Sequence, residues 1–175
     1  LPRPQWLLAQ SLSISRLAFN MHTDAFHTGG DTAALEGAYY SVAARATGLR
    51  VPKGNQPHTT KSQIYGQCMT LDWATNLRFT RLLYMLRAMR AAPDLLFALC
   101  EMAHSTHPTA RMRCWIDLIQ DDVQWLYAQV SDYSKMPDPA DWETATEWIL
   151  AKPKRWRSLI KYAKHRMTLR NAAVE

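Results

Sequence analysis

Eight Lys or Arg and no acid lie between Lys152 and Arg170, in KPKRWRSLIKYAKHRMTLR. Such side chains bind anions: an ammonium supplies a compact point charge, and a guanidinium a planar fork that fits phosphate oxygens. On a helical wheel Trp156, Leu159, Ile160, Ala163 and Met167 form one narrow apolar stripe. Lys154, Arg157, Lys161 and Lys164 flank it on one side, Arg155 and Arg166 on the other, and Lys152 and Arg170 stand at the ends of the run. Three partners fit such a helix: the chain's own acidic residues, a nucleic-acid backbone, or a membrane surface, which the narrowness of the stripe disfavours. Trp156, inside the run, is a candidate for stacking on a base. Arg78, Arg81, Arg87 and Arg90 form a second basic group on one predicted helix, though not on one face, and Arg45, Arg50, Lys53 and Lys61 surround a long loop.

Other chemistry lacks its residues. Asp121 and Asp122 are neighbours, and on a helix neighbours point about 100° apart, so they do not converge on one ion. They are expected on a solvated face. His22 and His27, and His104 and His107, have no zinc spacing, and no HExxH or paired CxxC exists. No GxSxG, GxGxxG or GxxxxGK[ST] is present. The expectation is a chain with no catalysis of its own and no cofactor. Cys68, Cys100 and Cys114 read as buried free thiols, which implies a reducing compartment. Seven Trp and 47% apolar residues argue for a packed core rather than disorder. No apolar run is long enough to span a bilayer.

The elements that must position these residues are helical almost throughout. The periodicity predicts helices over residues 4–24, 32–47 (Asp31 as N-cap and Gly48 as C-terminal cap), 60–68, 71–91, 94–103 and 110–130, then one from an Asp138 N-cap with Pro139 first, and a last one opened by Pro153. The fold class is therefore all-α, an irregular bundle of seven to eight helices. It divides into subdomains 1–103 and 109–175, the second ending in the basic amphipathic helix. Charge is segregated along the chain. Residues 1–90 carry ten bases against four acids, 91–147 three against ten, and 148–175 eight against one. The start, LPRPQ, lacks Met, as in a processed product or a piece of a longer polypeptide.

The order SLSISRLAFN, ALEGAYYSVAARATGLR, TKSQIYGQCMTLDWATNLRFTRLLYMLRAMRAAPDLLFALCE resembles the thumb and post-polymerase linker of LINE-type (non-LTR) retrotransposon reverse transcriptases. The matching parts are a Leu35–Glu36 helix ending at Gly48, a Thr60-initiated short helix, and an R-x-x-x-L-x-x-x-L-R helix over Arg78 to Arg87. WIDLIQDDVQWL and PDPADWETATEWILAKPKRWRSLIKYAKHR are similar to the Trp helix, the P-x-x-W and the basic helix that come next in some members. Leu83–Tyr84 stand where many relatives have Gly-His, and no palm with an Asp-Asp turn is present. The resemblance implies a non-catalytic, thumb-like piece that helps to hold RNA or DNA, in nucleus or cytoplasm. The contacts assigned to it are Arg78, Arg81, Arg87, Arg90, Lys152, Lys154, Arg155, Trp156, Arg157, Lys161, Lys164, Arg166 and Arg170. The alternative is a scaffold subunit of a large, organellar assembly, with the basic helix docked on an acidic protein surface.

Overall fold

The computed structural model describes residues 2–9, 29–49, 59–91, 94, 98, 115–130 and 135–173. All regular structure among them is helical. Seven helices are defined: α1 (Pro2–Ala9), α2 (Gly29–Thr47), α3 (Lys61–Gln67), α4 (Trp73–Ala91), α5 (Trp115–Val130), α6 (Trp142–Ala151) and α7 (Pro153–Ala172). The all-α expectation holds. The remainder of the 4–24 helix, most of the 94–103 helix, Arg50, Lys53, Cys100, Cys114, His22, His27, His104 and His107 lie outside the described residues.

The described residues fall into two compact units. The first holds α1, α2, α3, α4 as far as Leu77, and α7 from Lys164 onward; the second holds Arg78 through Ala163. This grouping differs from a linear division at residues 104–108, because two helices each contribute to both units.

In the first unit α1 packs on α2, and α2 on α3. Its core is aromatic: Trp6, Tyr39, Tyr65 and Trp73 are buried with Ala43, Ala44, Ala46, Ile64 and Cys68. Trp6 meets Tyr39 edge-on at 5.2 Å between centroids, and Tyr39 meets Trp73 at 5.4 Å. The three alanines of α2 let the rings approach, since each adds a buried face without bulk. Gly48 ends α2 with φ of 71°, the left-handed cap its position predicted. The helix begins at Gly29, however, so Asp31 lies inside the first turn rather than capping it.

Thr60 opens α3 with a capping box: its hydroxyl accepts from Gln63 N while Gln63 Oε1 accepts from Thr60 N. The helix closes in a Schellman pattern. Thr70 N donates to Tyr65 O and Met69 N to Gly66 O, both at 2.9 Å, with Met69 at φ 52°. Asp72 then starts α4, its Oδ1 accepting from Thr75 N at 2.8 Å. The corner is locked from within. Asn76 Nδ2 donates to Tyr39 Oη (2.9 Å) and to Leu71 O (2.8 Å), and Tyr39 Oη donates to Leu71 O at 3.1 Å. With its single proton so used, the phenol must accept from the Thr70 hydroxyl, 3.0 Å away. A Cβ on Gly66 would lie 2.5 Å from Asn171 O, so this position holds α3 against the end of α7 by having no side chain.

In the second unit the buried side chains include Phe79, Leu82, Met85, Leu86 and Met89 of α4, Ile119, Val123, Leu126 and Val130 of α5, and Ala145, Trp148 and Ile149 of α6. Ala74, near the start of α4, is exposed. Between α5 and α6, Asp138 caps a turn rather than a helix. Asp138 O accepts from Asp141 N at 3.1 Å and Asp138 Oδ1 from Ala140 N at 2.9 Å, a type of turn that Asp followed by Pro favours. The N-cap of α6 is Asp141, accepting from Thr144 N; the hydroxyl of Thr144, and then its amide, hold the Asp141 carboxyl below the ordinary aspartate range. Pro153 opens α7 as predicted.

Candidate nucleic-acid interface

The stripe on α7 is covered by the chain itself. Trp156 is 0% exposed, Leu159, Ile160 and Ala163 are buried, and Met167 is half-buried. The Trp156 indole Nε1 donates to the Leu82 carbonyl at 3.2 Å, which pins α7 to α4 within the second unit. This removes Trp156 from the stacking role: a ring with no exposed face has nothing to offer a base. The handle that Trp carries serves packing here, as buried indoles usually require.

The bases on the other faces of α7 remain outside. Lys152, Lys154, Arg155, Arg157 and Lys161 are all exposed, and all belong to the second unit. Lys154, Arg157 and Lys161 succeed one another at intervals of three and four, so they form one row about 10 Å long. None of Lys154, Arg155, Arg157 and Lys161 is ion-paired with a described residue. Lys152 ends α6 and sets its ammonium 5.4 Å over the Trp148 ring. The first turn of α7 has no acid, so these charges add to the positive end of the helix dipole instead of opposing it. Like charges at such spacings repel. The row is therefore locally unfavourable, and an anion laid along it would relieve the cost.

Further along α7, in the first unit, Lys164 and Arg170 are exposed. Desolvation holds the Lys164 ammonium below the ordinary lysine range, although the residue as a whole stays open. Arg166 is half-buried and already interacts within the chain.

The four arginines of α4 divide two and two. Arg87 and Arg90 are exposed, on an outer edge shared with Thr80 and Leu83. Arg81 turns inward, where its Nε and Nη2 donate to Asp122 Oδ2 and Oδ1 at 2.6 and 2.9 Å. Its side chain is 11% exposed and that of Asp122 1%. Arg81 thus leaves the phosphate-contact set, its fork already filled by a carboxylate. The same geometry corrects the solvated-face assignment of Asp122; Asp121, next to it, is exposed. Arg78 lies 3.5 Å from the same carboxylate and over the Trp125 ring at 5.3 Å, and it keeps part of its surface open.

One residue of this surface is missing from the contacts assigned by sequence. Tyr162 is 39% exposed, on the side of α7 away from Trp156. Its signal was its place on the wheel, six residues after Trp156 and so about 240° round from it.

No family model, curated protein or solved structure matches the chain. Among the described residues no three His, Cys, Asp or Glu side chains group as metal ligands, and no helix is long and apolar enough to cross a membrane.

Proposed function

We propose that this chain is a non-catalytic nucleic-acid-binding module that holds an RNA or DNA backbone along the cationic face of α7, and that it descends from the thumb and linker of a retroelement reverse transcriptase. One observation carries the binding reading: Lys154, Arg157 and Lys161 stand in a row, exposed and without a carboxylate among the described residues, on a helix whose apolar stripe is already satisfied. The stripe therefore needs no further partner, and what is left for one is charge. Lysines and arginines of this kind fix position on a backbone and carry little sequence information. Arg87 and Arg90 are further phosphate contacts. The ancestry rests on the Leu35–Glu36, Thr60 and Arg78-to-Arg87 pattern, and a polymerase palm encoded in the same reading frame would support it.

The test is a titration of the chain with labelled RNA and DNA across a salt series. Binding should weaken steeply with salt. Replacing Lys154, Arg157 and Lys161 together by Ala should lower the log–log slope by about two to three, since each neutralised phosphate contributes about 0.7–0.9. No binding at about 50 mM salt, or a flat dependence, overturns the proposal. Stoichiometric recovery in a multi-protein complex free of nucleic acid would favour the acidic-protein alternative.

A further inference from the structure

Resting on that reading, we infer that α7 selects single strands over duplexes, with Tyr162 as the stacking platform. All the residues concerned lie in the second unit. Lys154, Arg157 and Lys161 make the cationic row. Beside it runs a second line on the same helix: Arg155, then Tyr162 seven residues on, two turns further along. Ser158 is exposed between the two lines. Tyr162 has an interaction within the chain and still presents 39% of its surface to solvent beside the cationic row.

A strand whose phosphates track the row sets its bases over the second line. There an unstacked base can lie on the phenol ring, and Arg155 offers its guanidinium plane to the next one. A duplex cannot use this arrangement. Its bases are already stacked on both faces and paired to the opposite strand, so the ring finds only backbone and groove edges. The cationic row serves both forms of nucleic acid; the ring serves one of them.

Anisotropy titrations with single-stranded RNA, single-stranded DNA and a hairpin duplex test this, using the full chain and its Tyr162→Ala and Tyr162→Phe variants. Tyr162→Ala should weaken single-strand binding about tenfold or more, leave the salt slope unchanged, and leave the duplex affinity within about twofold. Tyr162→Phe, which keeps the ring, should bind like the parent. The RNA and DNA arms show whether the sugar matters, and stacking alone predicts similar losses in both. Equal loss on single strand and duplex, or no loss on either single strand, overturns the inference while the backbone-binding reading stands. Failure of the parent chain to bind any of the three overturns both.

Discussion

Asp122 has almost no surface in contact with solvent, yet it faces two guanidinia. A buried carboxylate with a bidentate Arg contributes little net stability relative to apolar residues of the same size, but removing one partner strands a charge. Arg81→Met should therefore cost about 3–5 kcal/mol, whereas the pair Arg81→Met with Asp122→Leu should recover most of that loss. Urea melts tracked by tryptophan fluorescence measure both. A small effect of Arg81→Met would mean that Arg78 or water takes over the carboxylate. The position was partly legible. Asp122 falls three residues after Ile119 and four before Leu126, on the buried face of α5, and only its polarity argued for the outside.

At the scale of elements, the α3–α4 corner is specified by several local signals at once. A capping box starts α3, a Schellman pattern ends it, Asp72 begins α4, and the Tyr39–Thr70–Asn76 network ties the corner to α2. One residue is at odds with its place. Met69 holds a left-handed conformation in which Cβ crowds the next carbonyl, at a cost of about 1–2 kcal/mol, and Met69, 37% exposed, is only partly buried. Met69→Gly should stabilise the chain by about 0.5–1 kcal/mol, because relief of the strain outweighs the added backbone freedom of the unfolded chain. A rise in the urea midpoint at unchanged m-value is the expected result.

At the scale of the whole molecule, the first unit is built around groups that must stay neutral. Burial pushes the Cys68 thiol up to about 11 and raises the phenols of Tyr39 and Tyr65 well above the ordinary tyrosine range. Each folded-state pKa lies above the unfolded one, so the unfolded chain loses its proton first. Stability is then full below the unfolded values and falls as pH rises, beginning near 9 with Cys68. Melting temperature should decline from about pH 9 upward, and Cys68→Ala should move the onset to the range where the tyrosines titrate. The same thiol should react slowly with alkylating reagents at neutral pH until the unit unfolds. A melting temperature unchanged between about pH 8 and pH 11 would contradict the burial of these groups.

The sequence by itself determined the all-α class, the Gly48 cap, the bounds of α3, the Pro153 start of α7 and the stripe from Trp156 to Ala163. These depend on local matters: period, capping chemistry and fixed backbone angles, all of which act within a few residues. Other features were decided only in three dimensions. Which Asp caps α6 turned on how a turn and a helix share Asp138 and Asp141. Whether Arg81 meets solvent or Asp122 depends on a partner 41 residues away. The full enclosure of the Trp156 ring was decided in the same way: it depends on the Leu82 carbonyl, 74 residues away, and on the packing of α4 against α7, whereas Tyr162, on another side of the same helix, stays 39% exposed.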